Sequence, residues 1–303
     1  MAVFIFPGQG AQKTGMAKDF YDSYPAAKKI FDIADMTLGF FLSKVVFQGT
    51  EEELKRTSIT QIAILTVETA IFEVINERGS APDVCAGHSL GEYSALIAAG
   101  SLSFENALKL VQKRAQFMEE TAIKVPSGML AVIGLEKEIV EEIIKKVLPL
   151  GVLEVANINS PGQIVVSGEL KVFEEFSNLA KQSGAKMCVP LAVSGGFHSS
   201  LMNEASERLK EELRKTEIEE PRTKFLSNVT GGFEKDPENI KKLLAEQVNH
   251  PVQWVKIMQG ILAQNPDKIL EIGPGKVLAG LWKRFDKTKQ VVNIETKEDL
   301  LKI

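Results

Sequence analysis

Val84-Cys85-Ala86-Gly87-His88-Ser89-Leu90-Gly91-Glu92 is the stretch on which the fold turns. Its first three residues read as a short buried strand, and the stretch from Glu92 onward reads as a helix. A sharp turn must therefore lie at Ser89. Strand, G-x-S-x-G and helix in that order are the context of a nucleophile elbow. Two glycines flank such a serine because backbone segments close around it and leave no room for Cβ atoms. The helix opening near Leu90 points free amides back at the hydroxyl, which makes the Leu90 N–H a natural oxyanion-hole donor. Taken alone, the pentapeptide could also be a chance match at a strand-to-helix turn.

Outward from the elbow, short apolar runs alternate with helical patterns: strand 3–6, helix 60–78, strand 84–86 and a helix from 92. This alternation predicts an α/β fold with a mainly parallel sheet. Between 126 and 191 the order becomes strand 129–133, helix 137–147, strand 152–158, strand 163–167, helix 171–182 and strand 186–190. That βαββαβ order is the split-βαβ, ferredoxin-like pattern. The expected organisation is an α/β-hydrolase-like catalytic domain from residues 1–125 and 192–303, with a ferredoxin-like subdomain inserted at 126–191. The Lys/Glu-rich stretch 208–220 reads as a solvated helix face.

An activated serine needs a base, and the chain has three histidines: His88, His198 and His250. His88 adjoins the serine, and neighbouring side chains on a sharp turn diverge, so it reads as a loop-orienting residue. His250 precedes Pro251 and reads as structural. His198 lies in Ser194-Gly195-Gly196-Phe197-His198-Ser199, a loop small enough to approach another backbone closely. No aspartate lies between Ser89 and His198, and the glutamates there fall mostly in amphipathic stretches. The expectation is a Ser–His dyad without a buried acid, the imidazole being oriented by a carbonyl.

Arg114 is out of place in its helix. Ala107, Leu110, Val111, Phe117 and Met118 share one face at helical spacing, and Arg114 falls within that apolar stripe, whereas Lys109, Lys113 and Gln116 lie on the polar side. A buried unpaired charge costs several kcal/mol or so, so an anion should meet it. An internal salt bridge or a snorkelling side chain would satisfy it. A substrate carboxylate held by the guanidinium fork, while the far end of the substrate reacts at Ser89, would do so as well.

The net charge of -4 offers no overall attraction to nucleic acid or an anionic membrane. Cys85 and Cys188 sit singly in apolar runs and read as buried free thiols, with neither a metal site nor a disulfide expected. The apolar N-terminus runs into Pro7-Gly8 before a signal peptide could be completed, and no stretch is expected to approach the roughly 18 to 20 apolar residues that a membrane span requires. The expectation is a soluble, cytoplasmic, monomeric protein without a cofactor.

Several separated motifs resemble the malonyl-CoA:acyl carrier protein transacylases of bacterial fatty-acid synthesis. These are Phe6-Pro7-Gly8-Gln9-Gly10, the elbow extended to Leu96, Thr60-Gln61-Ile62-Ala63, Lys113-Arg114-Ala115-Gln116, 156–163, 247–254 and 273–278. The resemblance spans essentially the whole chain. It implies Ser89 and His198 as catalytic, Gln9 beside Leu90 in the oxyanion hole, and Arg114 on the malonyl carboxylate. It further implies Gln61 near the site, a supporting main-chain carbonyl at Gln247, and Phe197 as a feature favouring malonyl over methylmalonyl. The implied substrates are malonyl-CoA and acyl carrier protein, with coenzyme A thioester as substrate and not as cofactor. An acidic carrier calls for a basic docking surface, for which Lys186, Lys283 and Arg284 are the candidates. Two rival functions share the elbow: a serine thioesterase or carboxylesterase, which needs no Arg114, and a non-catalytic carrier-binding scaffold.

Overall fold

A computed structural model describes all 303 residues. Ten strands form two sheets: β1 Ala2–Phe6, β2 Val84–Gly87, β3 Ser127–Ile133, β4 Leu153–Ser160, β5 Gln163–Glu169, β6 Met187–Pro190, β7 Lys224–Leu226, β8 Phe233–Glu234, β9 Lys268–Ile272 and β10 Val291–Ile294. The larger sheet has the order β10-β9-β1-β2-β7-β8 and is parallel except at β8. All five residues of β1 are buried, as expected of a central parallel strand covered on both faces. Chain order runs outward in both directions from β1. The order reverses between β1 and β9, so the crevice where open α/β sheets bind ligands opens at their carboxyl ends, with the carboxyl end of β2 on the other side of β1.

The second sheet, β4-β5-β3-β6, is antiparallel throughout, and the helices Lys137–Val147 and Phe173–Gln182 join its strands in the βαββαβ order. It is stitched to the larger body through β4: Ile158 N–H donates to the Val252 carbonyl, and Val252 N–H to the Ala156 carbonyl, each at 2.9 Å. This stitch brings Asn157 and Asn159 to the end of the parallel sheet. Cys188 lies on edge strand β6 and is only partly buried, unlike the fully buried Cys85.

The helix Thr57–Glu77 starts three residues earlier than periodicity suggests. It is long and apolar enough by composition to cross a membrane, which corrects the sequence expectation. Thr60, Gln61, Thr66, Glu68 and Thr69 interrupt its consecutive apolar run while leaving its average hydropathy high. In the fold it is a core helix with 83% of its most apolar window buried, packed on the helices Pro25–Leu38 and Phe104–Ala122.

Two glycines lock the elbow to the sheet. A Cβ on Gly87 would lie 1.9 Å from the Gly91 carbonyl oxygen, and one on Gly91 would lie 2.1 Å from the Phe6 carbonyl oxygen. Gly280, in the helix Val277–Phe285, would place a Cβ against nothing within 4 Å. Gly91→Ala should therefore destabilise the protein by about 3 kcal/mol. Gly280→Ala should stabilise it by ~0.5–1 kcal/mol through helix propensity. Urea-unfolding midpoints check both, and a Gly91→Ala midpoint equal to wild type would contradict the interlock.

Candidate active site

Ser89 tops the turn between β2 and the helix Gly91–Ala98 with a left-handed φ of 52°. Such backbone costs about 1–3 kcal/mol in a non-glycine residue unless its surroundings hold it. Both main-chain groups of Ser89 are held by side chains: its N–H donates to Asn228 Oδ1 at 2.7 Å, and its carbonyl accepts from Gln247 Nε2 at 2.7 Å. Asn228 Nδ2 also donates to the Gly87 carbonyl at 2.6 Å, so one amide braces two residues of the elbow.

His198 also has a left-handed φ, 60°, with its N–H bonded to the Val248 carbonyl. Its Nδ1 lies 2.6 Å from the Gln247 main-chain oxygen and its Nε2 lies 2.9 Å from Ser89 Oγ. A carbonyl oxygen can only accept, so Nδ1 carries the proton and Nε2 presents a lone pair to the serine hydroxyl. Burial, reinforced by the Arg114 charge, pushes the imidazole down to about 3. The base is neutral at any ordinary working pH.

Arg114 is 1% exposed, and all its hydrogen-bond acceptors are neutral. Nη1 donates to Gln61 Oε1 at 2.5 Å, while Nη2 donates to Gln247 Oε1 at 2.8 Å and to Ser89 Oγ at 3.2 Å. Nε is buried without a partner. Neither an internal salt bridge nor snorkelling accounts for this cation. One Nη1–H and the Nε–H are unused, and the Nη2–H aimed at Ser89 Oγ becomes available once that oxygen is esterified. Gly8, Gln9, Ser89, Leu90, Arg114 and His198 help line a single cavity of about 230 Å³, whose apolar wall includes Met118, Val165 and Phe197.

A strained serine, a neutral histidine on its hydroxyl and paired glycines at the turn are a site for acyl transfer through serine. Residues 3–297 match the acyl transferase domain. The chain belongs to this acyl transferase family. It is 43% identical to the malonyl CoA-acyl carrier protein transacylase of Bacillus subtilis (strain 168), over 98% of this chain and 94% of that relative. Among solved structures, the malonyl CoA-acyl carrier protein transacylase of Clostridium perfringens superposes with a TM-score of 0.96 at 40% identity, covering 99% of this chain and 95% of that one. A malonyl-transacylase solved in complex with its type II PKS acyl-carrier protein superposes equally well, at 38% identity over 99% of this chain and 97% of that one.

In this acyl transferase the remaining sequence candidates fall around the same cavity. The amides of Gln9 and Leu90 have no acceptor within the chain, and both residues line the pocket beside Ser89. The Gln9 side chain is tied to Thr57 Oγ1 at 3.4 Å. Phe197 is buried in the wall, and Gln61 holds Arg114. His88 turns away from the hydroxyl: its Nε2 pairs with Asn159 Oδ1 at 2.9 Å, and its ring packs edge-on against Trp254. Lys186, Lys283 and Arg284 are exposed. Arg284 bonds the cavity-lining Gln163, and Lys186 packs over Gly134, which touches Gly162, so these two cations flank one loop at the rim.

A buried glutamate that the sequence reading does not single out lies near the serine. Glu92 is 1% exposed, with Oε1 accepting from Asn228 N–H at 3.0 Å and Oε2 from Gln247 Nε2 at 2.5 Å. It does not touch His198, whose Nδ1 proton goes to a carbonyl. Its lone charge in the helix Gly91–Ala98 is the kind of signal that exposed Arg114 to sequence reading. Asn159 and Asn228 carry no such signal, because a polar loop amide is ordinary until its partner is known. The depressed His198 pKa predicts that the imidazole ring resonances stay unshifted between pH 8 and 5 in the free enzyme. A titration near the ordinary histidine value of about 6.5 would contradict the desolvated base.

Proposed function

We propose that this acyl transferase moves malonyl from malonyl-CoA to the phosphopantetheine thiol of acyl carrier protein through a malonyl-Ser89 intermediate. The observation that carries this reading is a buried arginine, paired only with neutral acceptors, that reaches the oxygen of a base-paired serine in the same cavity. A plain esterase has no use for such a cation. A dicarboxylic half-thioester has a carboxylate for it.

In this mechanism His198 Nε2 takes the hydroxyl proton as Ser89 Oγ attacks the thioester carbon. The amides of Gln9 and Leu90 donate to the tetrahedral oxyanion. As that intermediate collapses, the carbon–sulfur bond breaks and coenzyme A leaves with the proton from His198. The carrier thiol then gives its proton to His198 and attacks the ester, and the same steps run in reverse, so turnover is ping-pong. The Gln247 carbonyl supports the imidazolium that forms transiently in each half, in the absence of an acid partner. Because an ester and water are a hydrolysis waiting to happen, the apolar wall containing Met118, Val165 and Phe197 serves to keep water from the acyl-serine.

In the same reading, residues 1–125 and 192–303 form an α/β-hydrolase-like body and 126–191 an inserted ferredoxin-like subdomain, with the acyl site between them. Carrier protein docks at the rim bearing Lys186, Lys283 and Arg284, and the enzyme works as a cytoplasmic monomer supplying fatty-acid synthesis without a cofactor. The match to relatives named malonyl CoA-acyl carrier protein transacylase supports the pathway, and the placement of Lys186 and Arg284 beside the loop at Gly162 and Gln163 supports the docking rim.

Incubation with malonyl-CoA should add one malonyl mass to Ser89, and Ser89→Ala should abolish the addition. Arg114→Ala should slow malonyl transfer ~100-fold relative to acetyl transfer, the loss of a charge-assisted pair worth about 3 kcal/mol. Rapid release of free malonate with no acyl-serine, or equal losses for both acyl groups, would contradict the reading.

A further inference from the structure

The mechanism above leaves one buried ionisable group beside the site without a role. We propose that Glu92 is a positioning residue whose carboxylate fixes the side-chain amide of Gln247, so that Gln247 Oε1 holds Arg114 at the acyl site. The inference rests on the reading of Arg114 as the malonyl carboxylate's partner.

The argument is one of donors and acceptors. Gln247 Nε2 has two hydrogens, one pointed at Glu92 Oε2 (2.5 Å) and one at the Ser89 carbonyl (2.7 Å). Both targets are pure acceptors when Glu92 is ionised. A flipped amide would set Oε1 against two lone-pair-bearing oxygens, so only one orientation is allowed. In that orientation Oε1 faces Arg114 Nη2 at 2.8 Å. The main-chain oxygen of the same residue receives the His198 Nδ1 proton. Gln247 thus serves both halves of the site, and Glu92 governs its side-chain half.

Glu92 itself accepts from two separate donors, Gln247 Nε2 and the Asn228 amide. A glutamine at 92 has one acceptor oxygen for these two donors and would turn its NH2 on one of them. Protonation of Glu92 has a similar effect, because the added O–H is a donor where two acceptors are required. Losing the anion therefore frees the Gln247 amide to flip and lets Arg114 drift, while the main-chain bond to His198 remains. Malonyl, which needs the arginine, should suffer more than acetyl, which does not.

The charge on Glu92 is delicately held. Burial pushes its carboxyl up to about 7, against hydrogen bonds from the Asn228 amide and Gln247 and the attraction of Arg114. Tyr93, the other titratable group facing it, is itself pushed up by burial and stays neutral. As pH falls through the neutral range Glu92 takes a proton, whereas His198, already neutral, does not change. Selectivity for malonyl should therefore be highest above neutrality and decline below it.

The test is the single-turnover rate of Ser89 acylation by malonyl-CoA and by acetyl-CoA, without a thiol acceptor, for wild type and Glu92→Gln from pH 6 to 8.5. At pH 8 the variant should lower the malonyl-to-acetyl rate ratio about tenfold. The wild-type ratio should fall with an apparent pKa near 7, and the variant ratio should be flat. If Glu92→Gln fails to fold, the wild-type profile alone decides. A pH-independent wild-type ratio, or a variant that slows both acyl groups equally, overturns the role of Glu92 while leaving malonyl transfer intact. A wild-type enzyme that forms no malonyl-serine contradicts the proposed function itself, and the inference with it.

Discussion

A buried guanidinium with only neutral partners is the constraint around which this site is arranged. Gln61, Gln247 and Ser89 supply acceptors to Arg114 but no countercharge, and burial disfavours its charged form. Removing a cation from water without a direct ion pair costs several kcal/mol, roughly the scale of a domain's whole net stability, and the carboxylate of Glu92 reaches Arg114 only through the Gln247 amide. The fold tolerates that cost only because the surrounding amides are themselves pinned. The charge waits in a cavity that also contains the reacting hydroxyl, so a substrate bearing a carboxylate completes the site on binding.

The same network explains how two strained residues coexist. Ser89 and His198 both sit in left-handed backbone, and neither is a glycine. Asn228 and Gln247 tie down the main chain of Ser89, and the Val248 and Gln247 carbonyls hold the amide and ring of His198. Segments distant in sequence thus converge on one turn. The close contact of Gly91 with β1 sets the depth at which that turn sits. Strain of this kind presents the hydroxyl above the sheet, where a thioester can reach it.

Much of this was legible in the chain. Periodicity located the βαββαβ strands and helices to within about three residues at most boundaries, the accuracy expected where patterns are strong. Having three histidines made His198 readable by elimination, and the apolar stripe around Arg114 exposed its burial. The long core helix was misjudged because its threonines and Glu68 break a consecutive apolar run without lowering its average hydropathy enough to matter. Asn159 and Asn228 were missed for a different reason. Their roles depend on pairings across 71 and 139 residues of chain, which no local spacing encodes. Glu92 shows a local signal, its lone charge in a buried helix, but its partner Gln247 lies 155 residues away.

The reading of the site stands or falls on where the acyl carboxylate goes. A crystal structure of the trapped malonyl-Ser89 enzyme tests this most directly. The account predicts the carboxylate within hydrogen-bond distance of two Arg114 nitrogens, with the ester oxygen facing the Gln9 and Leu90 amides. A carboxylate turned to the mouth of the cavity, with Arg114 still bonded only to Gln61 and Gln247, would contradict it.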